Sequence, residues 1–97
     1  MRKWRVFITS AAGRVAKKLP PKVCDFILEE FPNRVKQNPF MGEQLSGPLL
    51  WLRSFHFSVD GRPYRIVYEL NDKESKIIIH YADYRGGFYG RLKRLLC

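Results

Sequence analysis

Trp4, Val6 and Ile8 alternate with Lys3, Arg5, Phe7 and Thr9, the period-two pattern of a half-buried strand over 3–9. Thr9 or Ser10 then offers a helix N-cap. Ala12, Val15, Ala16 and Leu19 fall on one face of a helix over 10–19, which Pro20-Pro21 ends. Pro21 can open a second helix, along which Cys24, Ile27, Leu28, Phe31 and Val35 recur in one stripe. The stripe runs through Pro32, which removes one hydrogen bond and crowds the carbonyl of Leu28. The spacing therefore predicts a kinked helix, or two abutting ones, ending before Asn38-Pro39.

From Phe40 onward the helical period is lost. Gly42, Gly47 and Pro48 mark a loop of about ten residues. Leu49 to Ser58 reads as a strand, Asp60-Gly61 as a two-residue hairpin turn, and Pro63 to Leu70 as the returning strand. After a turn at Asn71-Asp72-Lys73, Lys76 to Tyr81 has the continuous apolar character of a central strand. Phe88 to Leu96 can form a short amphipathic helix. The chain thus predicts one α+β domain over 1–97. Two N-terminal helices pack on one face of a small, mainly antiparallel four-stranded sheet, and a short C-terminal helix follows.

At 97 residues there is room for one small core and none for a second domain. No apolar run reaches membrane length and no signal-peptide core is evident, so a cytoplasmic location is expected. Cys24 and Cys97 lie too far apart in sequence to suggest a disulfide framework or metal cluster. Charge changes the picture more. Eighteen Lys and Arg against nine Asp and Glu give a net charge of +9, which favours a polyanionic partner. The excess lies at the ends. Seven cations precede the first acid, Asp25, while Arg85, Arg91, Lys93 and Arg94 follow the last, Asp83.

If Asp60-Gly61 is the turn, Phe57 meets Tyr64, Phe55 meets Ile66 and His56 meets Arg65. Ser54, His56, Ser58 and Arg65 then share the face turned away from the helices, which makes a titratable imidazole and a guanidinium cross-strand neighbours. They are either a site or solvated outward residues. Past the last strand, Tyr84-Arg85-Gly86-Gly87-Phe88-Tyr89 places an arginine and a tyrosine four residues apart around two glycines. Guanidinium matches phosphate oxygens bidentately, and a tyrosine ring can stack on a base. His80, within an isoleucine strand, reads as a hydrogen-bonded core histidine.

The helical hairpin, QNPFMGEQLSGPL, LWLRS, YRIVYEL and YRGGFY together resemble the RelE/ParE superfamily of toxins from type II toxin–antitoxin modules, over nearly the whole chain. The resemblance implies a small curved sheet carrying two helices. In the RNase branch it implies metal-independent cleavage of messenger RNA, usually on the ribosome, with no cofactor. Arg65 matches the sheet arginine that holds the scissile phosphate, and Arg85 and Tyr89 match the arginine and tyrosine after the last strand. His56 stands where the best-studied branch commonly has lysine. His56 or Tyr89 is then expected to move the proton, and Arg53, Ser54, Ser58, Tyr84, Arg91, Lys93 and Arg94 to contact RNA. The ParE branch offers the alternative of a non-enzymatic inhibitor of DNA gyrase. Either reading implies a cognate antitoxin protein as partner.

Overall fold

The computed structural model describes residues 3–84. The expected helix at Phe88 to Leu96, and with it Arg85, Tyr89, Arg91, Lys93 and Arg94, lies outside the described residues.

The chain opens with β1 (Arg5–Ile8) and then α1 (Ser10–Lys18), whose first turn is capped by Thr9 Oγ1 accepting from Ala12 N at 3.1 Å. Leu19 closes α1, and Pro21 begins α2 (Pro21–Asp25). Pro32 is absorbed by a wider turn rather than by a simple kink. Phe26–Glu30 is a π-helical segment in which Phe31 N–H donates to Phe26 O, five residues back, and α3 (Phe31–Gln37) continues the stripe from there. One extra residue in the turn carries the chain past a ring that cannot donate, and Ile27, Phe31 and Val35 all remain buried.

Next come β2 (Glu43–Gln44), a single 3₁₀ turn at Gly47–Leu49, β3 (Leu52–Val59), β4 (Arg62–Asn71) and β5 (Lys76–Tyr84). The sheet has five strands, in the order β1-β5-β4-β3-β2. The strand expected over 49–58 begins three residues later because the Gly47–Leu49 turn takes its first positions. The fifth strand is the two-residue β2, too short to show a period, and it pairs antiparallel with β3. β5 is interior, as its apolar run suggested, but the central strand is β4. β1 lies on the edge, parallel to β5, and the remaining pairs are antiparallel.

One face of the sheet packs against the helices. Ala12, Ala16, Val23, Ile27, Phe31 and Val35 meet Tyr64, Ile66, Tyr68, Ile77, Ile79 and Ala82 in the main core, joined at its margin by Phe26, Phe55 and Phe57. The other face is not uniformly polar. Leu49, Leu52, Val67 and Tyr81 form a second, smaller apolar cluster there. It follows from register: Val67 lies between Ser54 of β3 and Tyr81 of β5, so its row is flanked on both sides.

Candidate functional site

The hairpin turn sets the geometry. Asp60 and Gly61 both take positive φ, 51° and 79°, the left-handed pair that a two-residue hairpin needs and that Asp-Gly tolerates. β3 and β4 pair as the turn dictates: Phe57 with Tyr64, His56 with Arg65, Phe55 with Ile66. Phe55 and Phe57 stack with Phe26 on the helical side at ring separations of 6.2 and 4.3 Å. His56 and Arg65 therefore stand together on the opposite face, with Cβ atoms about 5 Å apart as for any directly opposed pair.

On β5 the partner of Arg65 is Asp83. A single row thus crosses three strands as imidazole, guanidinium and carboxylate. The carboxylate is held by its own strand, since Asp83 Oδ2 accepts the Tyr81 hydroxyl at 3.1 Å and Oδ1 accepts Tyr84 N at 2.7 Å. Tyr81 and Asp83 reach this face through an irregularity in the ladder. Tyr68 pairs with Ile79 and Val67 with Tyr81, leaving His80 as an extra residue between them.

Arg65 is only 7% exposed, so of the two readings of this face it is not a solvated outward arginine. It sits on the central strand between β3 and β5, paired with His56 and Asp83, and its Nε and Nη1 atoms are buried. Holding a guanidinium this dry raises its electrostatic strength towards an anion, because there is less water to screen it. Ser54 is also buried. Its Oγ has no hydrogen-bond partner among the described residues, and it borders a shallow hollow with Met41, Glu43, Phe55 and His56. His56 and Ser58 are exposed.

The other predicted residues sit elsewhere. Arg53 points to the helical side of the hairpin's start, donating from Nε to Gly42 O at 2.9 Å and from Nη2 to Phe40 O at 3.3 Å, with its guanidinium over the Phe40 ring. It pins the loop before β2. Tyr84 pairs with Tyr64, ring edge to ring face, and carries Arg62 over it at 4.8 Å, so it lies on the face opposite Arg65. The loop is also clamped by Tyr68, whose hydroxyl donates to Pro39 O at 2.8 Å and accepts from Gly42 N at 2.9 Å. Burial raises the Tyr68 pKa, an effect partly offset by the Gly42 N–H and by the Arg53 charge. Glu43 of β2 is the direct partner of Ser54 and so is carried onto the His56 face. Sequence reasoning passed over Asp83, Tyr81 and Glu43, whose placement depends on a ladder irregularity and on a two-residue strand. Among the described residues, no three His, Cys, Asp or Glu side chains gather to hold a metal ion. No helix among them is long and apolar enough to cross a membrane.

Residues 6–93 match the family described as ParE-like toxin of type II bacterial toxin-antitoxin system. The chain belongs to the ParE-like toxin family. The toxin's fold is shared with solved structures. One is the RelBE2 toxin–antitoxin complex from Mycobacterium tuberculosis, at 27% identity and TM-score 0.73, covering 88% of this chain and 94% of that one. A doubly substituted variant of E. coli toxin RelE in the free state matches at TM-score 0.73 and 15% identity, over 98% and 100% of the two chains. The archaeal RelE–RelB complex from Pyrococcus horikoshii matches at TM-score 0.62 and 22% identity, over 88% and 98%. No curated protein matches the toxin's sequence.

Proposed function

We propose that this toxin is an endoribonuclease that cuts messenger RNA, on the ribosome, and so arrests translation. The observation that carries the reading is the His56–Arg65 pair on the sheet face opposite the helices, in a chain of net charge +9. His56 takes the proton from a ribose 2′-hydroxyl, and the 2′-oxygen bonds to phosphorus. The bond to the 5′-oxygen breaks, and that oxygen leaves with a proton supplied by a second group, for which Tyr89 is the candidate. Arg65 and Arg85 hold the phosphate and stabilise the charge that builds on it, a contribution worth about 3 kcal/mol per preorganised donor. Guanidinium groups supply the positive charge, so the scheme needs no metal ion. Ser54, with its buried hydroxyl, adds a donor beside His56.

The partner that restrains such a toxin is an antitoxin protein. In support, solved relatives from M. tuberculosis and P. horikoshii are complexes with antitoxins. An apolar hollow lined by Val6, Phe7, Leu28 and Pro32 also lies open beside the edge strand β1.

The matched family is named for ParE, and the ParE branch offers one competing reading, an inhibitor of DNA gyrase without nuclease chemistry. One experiment separates the two. Purified toxin is incubated with free RNA, with translating ribosomes, and with gyrase on relaxed plasmid. Cleaved message with mapped ends and unimpaired supercoiling is the expected result. Intact RNA with failed supercoiling would give the site to gyrase.

A further inference from the structure

Along β3, four residues from His56, a second row crosses the same face: Leu52 of β3, Glu69 of β4, Ile78 of β5 and Phe7 of β1. Four strand residues span about 13 Å. This row carries large exposed rings at both ends. Trp51, next to Leu52, is 48% exposed and meets the His80 ring edge to face at 5.4 Å. Phe7 is 44% exposed, with Arg5 at 5.7 Å and Lys76 at 5.6 Å from its ring centre.

The Trp51 ring is braced at a distance from the cleavage chemistry. His80 Nε2 and Glu69 Oε1 are 2.8 Å apart, so the imidazole against which the indole rests is fixed by a carboxylate from the neighbouring strand. The same contact engages the row's carboxylate, which reduces its repulsion of an approaching phosphodiester. A half-exposed tryptophan held this way loses little freedom on stacking, and the cations around Phe7 extend the polyanion surface across the sheet. His80 is thus more than a core histidine.

We infer that Trp51, braced by His80, is a stacking platform for a nucleobase of single-stranded RNA, outside the cleaved linkage and on the same strand of RNA. The inference rests on RNA being the substrate. At the stacked spacing of about 3.4 Å per nucleotide, the 13 Å between rows corresponds to up to about four nucleotides. A dinucleotide engaged at His56 and Arg65 cannot reach Trp51 even when extended, and longer RNA can.

The test uses the Trp4→Phe background, in which Trp51 is the remaining tryptophan, with RNA blocked against cleavage by 2′-O-methylation. An RNA of about ten nucleotides should quench Trp51 fluorescence, and a dinucleotide should bind without quenching. Trp51→Ala should weaken the longer RNA about tenfold and leave the dinucleotide within twofold, whereas Trp51→Phe retains most of the affinity. Binding of the longer RNA without quenching, and unchanged by Trp51→Ala, overturns the platform alone. Equal losses in the Ala and Phe variants, with equal falls in melting temperature, make Trp51 structural and overturn it too. Quenching by an antitoxin peptide and not by RNA assigns the ring to a protein partner instead. Failure of every RNA to bind, even at low salt, overturns the RNA reading itself.

Discussion

Asp83 faces Arg65 across the β4–β5 ladder, and a tyrosine on its own strand holds the carboxylate in place. Removing the acid leaves a largely buried guanidinium without its cross-strand counter-charge, which costs more than the pair itself contributes. Asp83→Ala should lower stability by about 2 kcal/mol, allowing for the partial exposure of Asp83. Arg65→Ala/Asp83→Ala should recover part of that loss. Urea melts of the four proteins in the cycle read the coupling, and additivity within about 0.3 kcal/mol would show that the two side chains do not interact.

Cleavage should separate from folding through conservative changes. Arg65→Lys keeps the charge but loses the planar, bidentate fork, so RNA cleavage should fall about 100-fold or more while the melting temperature changes little. His56→Gln, on an exposed side chain, should cost about 100-fold or more in cleavage and almost nothing in stability. Single-turnover cleavage beside calorimetry checks both. Full activity of His56→Gln would remove the imidazole from the chemistry.

The loop before β2 depends on close approach. A Cβ at Gly42 would lie 2.8 Å from the Tyr68 hydroxyl and 2.9 Å from Ser54 O, and the backbone oxygen cannot yield cheaply. Gly42→Ala should therefore destabilise by about 2 kcal/mol and shift Glu43 away from Ser54. Tyr68→Phe strands a buried N–H and a buried carbonyl and should cost about 1 to 3 kcal/mol. Hydrogen exchange at Gly42 N–H reads both variants, and protection should fall in each.

Alkaline pH supplies an independent check on Tyr68. Burial raises its folded-state pKa above the ordinary tyrosine value of about 10, so below that value the phenol is neutral whether the chain is folded or not. Above it the unfolded chain releases the proton while the folded chain retains it, and stability falls as pH rises towards the folded pKa. Tyr68→Phe should show a shallower decline above about pH 10. Parallel curves for the two proteins would mean that this phenol titrates alike in both states.

Affinity for RNA should weaken steeply with salt, as expected for a chain of net charge +9. Each phosphate neutralised contributes about −0.7 to the slope of log K against log salt on a single strand. Filter binding across a salt series gives the count, and a flat line would exclude an electrostatic footprint.

The His56–Arg65 pairing was legible because Asp60-Gly61 leaves one register for the strands it joins, and alternation then decides which residues share a face. The stripe through Pro32 likewise revealed a continuous helical layer, though not the π turn that accommodates the ring. What could not be read depends on neighbours distant in sequence. Arg65 is buried on a central strand whose face also carries the Leu49, Leu52, Val67 and Tyr81 cluster, and alternation alone left that face open to either a site or solvent. Asp83 reaches Arg65 only after His80 has slipped the ladder by one residue, and no local pattern in an isoleucine-rich strand marks such a slip. Trp51 and His80 meet across β4 for the same reason.

The parallel pairing of β1 with β5 has a kinetic consequence. Arg5 and Lys76 are register partners although about seventy residues separate them, whereas β3 and β4 meet through a two-residue turn. Closing the longer loop carries the larger entropy cost and rewards it late, so the hairpin should assemble early and the first-synthesised strand should dock among the last. A nascent chain would then hold the His56–Arg65 pair in register before its edge is sealed. Pulse-labelled amide exchange during refolding should protect β4 ahead of β1.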